Sequence, residues 1–256
     1  MIPSQRNGFK YWGCKSVSKN IIGTNCITAL YKDNTGTTYV GTDNDGLYII
    51  DEHGTQQAHL SHSNSIQSVP SIILALYEDS VHNLWIGSYA SGAARLDKRT
   101  GKCTYLQDLV DKNGKNVRNV YAFAEDNQKR LWIATMGGGL FYYDLNTHKI
   151  NHISHLSNNF SDNWICSLYY STSKNALYVG TYNGLCRIDL DKPDMPCQYA
   201  VQQCIIYSIY EHTERHYLGR NIKWFTAMET RKHVPRIYTT NDGLTNILYT
   251  PSKEMI

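Results

Sequence analysis

A pattern of ten to thirteen positions recurs four times in this chain. It reads "TYVGTDNDGLYIID" from Thr38, "LWIGSYASGAARLD" from Leu84, "LWIATMGGGLFYYD" from Leu131 and "LYVGTYNGLCRIDL" from Leu177. Its aromatic positions are Tyr39, Trp85, Trp132 and Tyr178, separated by 46, 47 and 46 residues. Each is followed by a β-branched residue (Val40, Ile86, Ile133, Val179), then a small one (Gly41, Gly87, Ala134, Gly180), then a hydroxyl (Thr42, Ser88, Thr135, Thr181). A glycine comes three or four positions later, at Gly46, Gly92, Gly139 and Gly184, and each copy closes on an aspartate, at Asp51, Asp97, Asp144 and Asp189. A fixed period near 46 restricts the chain to a solenoid, a propeller or an array.

The second copy shows what one unit builds. "SIILALYED", "LWIGS", "AARLD" and "CTYL" are short runs rich in aromatic and β-branched residues, separated by "SVHN", "YASG" and "KRTGK". Four short strands with tight turns make an antiparallel meander, and such units repeated every 40–50 residues read as β-propeller blades. No unit sustains the 3.6-residue period of a helical solenoid. The repeated residues have structural roles in a blade. The second strand is expected to be buried on both faces, with Trp85 and Trp132 filling the space between blades. Gly87 lets the neighbouring sheet approach, the later glycines adopt positive φ, and the closing aspartates hold the next turn.

Composition agrees with strands and excludes several function classes. There are 20 tyrosines against 5 phenylalanines, and charged residues are 18% of the chain, below the ~25% of ordinary soluble domains. The net charge is +3 and the basic residues are scattered, so nothing calls for nucleic acid or an anionic membrane surface. "MIPSQRNGFKYWGCKSV" has no apolar h-region, and no run is long enough to cross a membrane as a helix. Of the seven cysteines (Cys14, Cys26, Cys103, Cys166, Cys186, Cys197, Cys204) none forms a CxxC. That argues against zinc and against a full disulfide framework. They read as small buried apolar residues, with Cys197–Cys204 a pair to bridge in an exported chain.

No catalytic or metal constellation stands out. "HTERH", His212 to His216, lacks a helix and has its glutamate, Glu214, away from the first histidine. His148, His152 and His155 do not share a strand face. "MGGGL" precedes no helix that would aim at a phosphate, no Gly-x-Ser-x-Gly occurs, and no carboxylate pair is singled out. No cofactor is called for.

"LYEDSVHNLWIGSYASGAARLD" and "AEDNQKRLWIATMGGGLFYYD" resemble the two-component regulator propeller repeat. The resemblance covers about residues 25–251. It implies an all-β chain: a β-propeller segment of about five four-stranded antiparallel blades, at about 25–70, 71–117, 118–162, 163–203 and 204–246, with another starting at 247–251. The last blade is expected to be irregular and the ring incomplete. Tyr210 to Tyr217 is one residue short of the usual spacing, and "RNIKWFTAMETRKH" has no repeat character. Residues 1–24, with "FKYWGCKSV", are expected to be a remnant of a lost blade and 252–256 a tail.

The resemblance further implies a non-catalytic, ligand-sensing segment of a periplasmic two-component sensor that recognises an oligosaccharide. Its kinase and remaining propeller parts lie outside this chain, and the segment itself makes no contact with nucleic acid or membrane. A propeller lyase or glycosidase, a protein-interaction scaffold and a truncated remnant without function are the alternatives. Exposed strand edges lead to an expectation of homodimerisation. Loops between second and third strands share one end with the blade-to-blade connections. They put Asp43, Asn44, Tyr89, Met136, Tyr182 and Asn183 forward as ligand-binding residues, because amides and carboxylates bond hydroxyl pairs and aromatic faces stack on sugar C–H surfaces. Asn and Asp also fill turns for backbone reasons. The opposite hairpins, including "DNQKR", read as solvated charge.

Overall fold

The computed structural model describes residues 26–153 except 64 and 112, residues 163–202 except 193, and the segments 205–212, 215–220, 224–229 and 235–238. Residues 1–24, "NILYT", the 252–256 tail, His155, Glu214, Cys14 and Cys204 lie outside them.

Five four-stranded antiparallel sheets follow one another along the chain, and no helix occurs among the described residues. The first is β1 (Ile27–Lys32), β2 (Thr38–Thr42), β3 (Leu47–Ile50) and β4 (Gln56–Leu60). The second is β5 (Ile73–Glu78), β6 (Leu84–Ser88), β7 (Ala93–Asp97) and β8 (Lys102–Tyr105). The third is β9 (Val120–Glu125), β10 (Arg130–Thr135), β11 (Gly139–Asp144) and β12 (Ile150–Ile153). The fourth is β13 (Ile165–Ser171), β14 (Ala176–Thr181), β15 (Gly184–Asp189) and β16 (Cys197–Gln202). The fifth is β17 (Ile206–His212), β18 (Arg215–Arg220), β19 (Trp224–Glu229) and β20 (Pro235–Tyr238). Strands pair in sequence order within each sheet. Blades pack through their first strands, in the order β1, β5, β9, β13, β17, and among the described residues no ladder joins the fifth sheet to the first. The segment without repeat residues still supplies β19, because a ladder uses backbone groups.

The apolar second strands explain the stacking. β6 and β14 are buried along their whole length, and β2 and β10 at all but their first residue. Trp85 and Trp132 are 2% and 0% exposed. Trp85 packs with Val120, Phe123, Ile133 and Phe141 of the next blade, and Trp132 with Ile165, Val179 and Ile188. Tyr39 and Tyr178 repeat the contact in the first and fourth blades. A Cβ on Gly87 would stand 2.8 Å from the Val120 carbonyl oxygen and 2.9 Å from its Cγ1, so only hydrogen lets the two sheets reach this separation. The closing aspartates do hold turns. Asp97 Oδ1 accepts the backbone N–H groups of Arg99 and Thr100, and Asp144 Oδ1 those of Asn146 and Thr147.

Two expectations change, and a third finding concerns two histidines. Asp126, in the "DNQKR" hairpin, is 4% exposed rather than solvated, because its carboxylate accepts the N–H groups of Gln128, Arg130 and the Trp132 indole. Cys197 is disulfide-bonded to Cys186, not to Cys204. The adjacent strands β15 and β16 hold these two α-carbons 6.0 Å apart, within the range a disulfide spans. His152 stacks on Phe141, with ring centroids 4.3 Å apart, and its Nε2 donates to the Gly138 carbonyl at 2.7 Å. His59 does the same in the first blade, stacking on Tyr48 and donating to the Asp45 carbonyl. Each histidine braces a loop between second and third strands.

Candidate functional site at the loop end of the blades

Those loops are built to a common plan. The repeated hydroxyl closes each one: Thr42, Ser88, Thr135 and Thr181 donate to the carbonyls of Gly46, Gly92, Gly139 and Gly184 at 2.6–3.0 Å. The glycines have φ of 74°, 80°, 84° and 144°, the region that disfavours a side chain. The first loop residue of each blade donates its N–H to the residue just before that blade's own first strand. Asp43 bonds Cys26, Tyr89 bonds Ile72, Met136 bonds Asn119 and Tyr182 bonds Trp164, at 2.9–3.2 Å. In the first three blades the loop glycine donates to the next connection, at Ser71, Arg118 and Asn163. Loops and connections therefore form one braced end, and all six candidate residues lie on it.

A second feature reaches the same end. Every first strand carries a β-bulge one residue after its start. The ladder skips Thr28, Leu74, Tyr121, Cys166 and Tyr207, each beside an ordinarily paired Ile or Val. A bulge leaves its extra residue unpaired and re-aims its side chain.

The structure gathers some of the candidates and separates others. Tyr89 is 50% exposed, and Tyr182 meets Trp164 edge to face, centroids 5.5 Å apart. Tyr121 lies within electrostatic reach of Tyr182, Cys166 and Tyr89; burial first, then those neighbours, raise its phenol above its ordinary value. Trp164, at 47% exposure, and Tyr207, at 49%, extend the aromatic surface along the next two blades. Met136 is half-buried, and its backbone bridges to Trp164. Asp43 and Asn44 sit on the first blade, where Asn44 has a φ of 103° and fills a turn position. Asn183 is exposed, its N–H held by Thr181 Oγ1 at 3.1 Å. Tyr121, Trp164 and Tyr207 were missed by a pattern aligned on second strands. Aligning the first-strand starts Ile27, Ile73, Val120, Ile165 and Ile206 puts them in the two columns that flank the start, Trp164 just before it and Tyr121 and Tyr207 just after. Among the described residues no group of three or more His, Cys, Asp or Glu side chains converges as for a metal.

Residues 67–90 and 111–137 match the two component regulator propeller family. No curated protein matches the sequence. Among solved structures the chain is similar to the extracellular domain of the hybrid two component system BT3049 from B. thetaiotaomicron, with a TM-score of 0.71 and 22% identity over 87% of this chain and 29% of that one. It is also similar to the extracellular domain of the hybrid two component system BT4673 from the same organism (TM-score 0.68, 20% identity, 84% of this chain and 27% of that one). PorZ, a surface component of the type-IX secretion system of Porphyromonas gingivalis, has a TM-score of 0.65 at 12% identity, over 83% of this chain and 34% of that one. The chain thus spans less than a third of the two sensor domains it resembles. Over the two matched segments, which take in the first and second strands of the second and third blades, the sequence is similar to the two component regulator propeller repeat.

Proposed function

We propose that this chain is a non-catalytic, ligand-sensing segment of the extracytoplasmic propeller of a two-component sensor, and that it recognises an oligosaccharide. The observation that carries the reading is the braced loop end, with Tyr89, Tyr121, Trp164 and Tyr182 gathered on it. Aromatic rings fixed by the backbone offer flat apolar faces at low entropic cost, which suits stacking on sugar rings. The Cys186–Cys197 bond supports an oxidising compartment such as the periplasm, and the sensor neighbours are extracellular domains. Signalling through a phosphorelay rests with kinase parts beyond the resemblance to this segment.

The test is a glycan-array screen of the chain, followed by Tyr89→Ala and Tyr182→Ala. The expected result is a bound glycan whose affinity falls at least about tenfold in each variant, about 1.4 kcal/mol. Binding that neither substitution weakens would put the site elsewhere.

A further inference from the structure

The β6–β7 loop has two neighbours. Its first residue, Tyr89, belongs to the aromatic end. Its next three, Ala90, Ser91 and Gly92, border a cleft of ≈ 380 Å³. That volume is at the low end of the ~300–1,000 Å³ typical of small-molecule sites. The other walls come from both ends of the β8–β9 connection and from Ile66 of the β4–β5 connection.

The lining has a definite chemistry. Tyr105 and Ile66 give apolar surface, and Ile66 stands 87% exposed at the rim. Ser91, Gln107 and Asn116 add a hydroxyl and two amides. Arg118 supplies a cation. Its carbonyl accepts the Gly92 N–H at 2.7 Å, which fixes the residue against the loop, and its guanidinium has no acidic partner among the described residues. The nearby acid Asp111 is occupied: it accepts the N–H groups of Asn113 and Lys115 and closes the hairpin that leads to Asn116. Asp108 and Lys115 are exposed on the same connection.

We infer that this cleft is a subsite for a carboxylate-bearing sugar, a uronic acid residue of the oligosaccharide whose neighbouring rings lie on Tyr89. The inference rests on the proposed sugar-binding role of the aromatic end. A guanidinium fork matches a carboxylate bidentately, and flanking amides and a hydroxyl suit the ring hydroxyls.

The experiment compares a galacturonic acid trimer with a neutral galactose trimer by titration calorimetry against the whole chain, Arg118→Gln, and Tyr89→Ala with Tyr182→Ala. Circular dichroism confirms that each variant is folded. The acidic trimer is expected to bind at least tenfold tighter than the neutral one, and Arg118→Gln to erase that preference while leaving the neutral trimer unchanged. Equal binding of the two trimers, or an acidic trimer indifferent to Arg118→Gln, overturns the subsite. If the tyrosine variant weakens both trimers in that case, the aromatic reading stands alone. If only Arg118→Gln matters, the cleft stands and the aromatic end falls. If neither trimer binds, the subsite is overturned, and the aromatic reading is decided by the glycan array alone.

Discussion

The Trp132 indole N–H donates to Asp126 Oδ2 at 2.8 Å, and both residues are buried. Trp85 and Asp79 repeat the bond at the same 2.8 Å one blade earlier. Asp126 Oδ2 also receives Arg130 Nε at 2.6 Å, so one carboxylate ties a hairpin, a cation and an inter-blade indole together. Asp126→Ala is expected to cost about 3–5 kcal/mol, because it strands a partly buried cation. Trp132→Phe, which keeps most of the packing, is expected to cost about 1–3 kcal/mol, and Trp132→Ala about 3–5. Urea unfolding checks the order; an Asp126→Ala protein as stable as the parent contradicts the assignment.

Gly87 and Ala134 occupy one repeat position, and opposite changes there should both destabilise, one by clash and the other by lost contact. Gly87→Val places carbon against the Val120 backbone, where little can yield, and is expected to cost at least about 1–3 kcal/mol. Ala134→Gly loses only a methyl group in a fully buried strand and is expected to cost about 1 kcal/mol. Thermal melts of the two variants decide this.

Alkylation should sort four of the five described cysteines. Burial pushes the Cys103 thiol up to about 12, so at pH 8 it stays protonated and unreactive. Cys26 is exposed and should label first. Cys186 and Cys197 should label only after reduction. Reduction is expected to destabilise the fold by about 2–3 kcal/mol, given the short loop enclosed. Mass spectrometry of the labelled chain reads all four.

Acid should act through the turn aspartates. Hydrogen bonds hold the Asp97 carboxyl below its ordinary 3.8, first from the Thr100 side chain, then from the backbone of Arg99 and Thr100. Asp144 is lowered the same way, first by the Thr147 backbone. A carboxylate with a depressed folded pKa stabilises fully above its unfolded value and loses that contribution as pH falls through the folded one. Stability should therefore hold down to about pH 4 and drop below it. Asp97→Asn with Asp144→Asn should shallow the drop in urea midpoints measured against pH.

The first blade should make the chain sticky. Ile27 is 41% exposed and Leu30 38%, whereas Ile73, Val120, Ile165 and Ile206, which match Ile27, are fully buried under a preceding blade. Self-association is expected in sedimentation velocity at micromolar concentration, and Ile27→Thr with Leu30→Thr should reduce it. An unchanged monomer in both proteins rules it out.

The blades could be read from sequence because their signal is redundant. Tyr39, Trp85, Trp132 and Tyr178 each carry the same neighbours, and a packing role repeated four times leaves a period. The partner of Cys197 and the burial of Asp126 could not be read, since both depend on which atoms meet across strands or a hairpin. The aromatic end was half visible. Tyr89 and Tyr182 belong to the periodic pattern, whereas Tyr121 and Tyr207 are the residues the ladder skips, and their equivalents Thr28, Leu74 and Cys166 share no chemistry with them.

That mismatch separates what must be inherited from what is free to change. A bulge residue has no place in the ladder, so the strand registry does not fix its identity, although Thr28 still donates its hydroxyl to the Gly41 and Ile73 carbonyls. Threonine, leucine, tyrosine and cysteine all occupy the place while the flanking Ile or Val and Ala or Ser stay nearly constant. Selection can rewrite that column one blade at a time, altering what the propeller meets at its mouth without renegotiating how it folds.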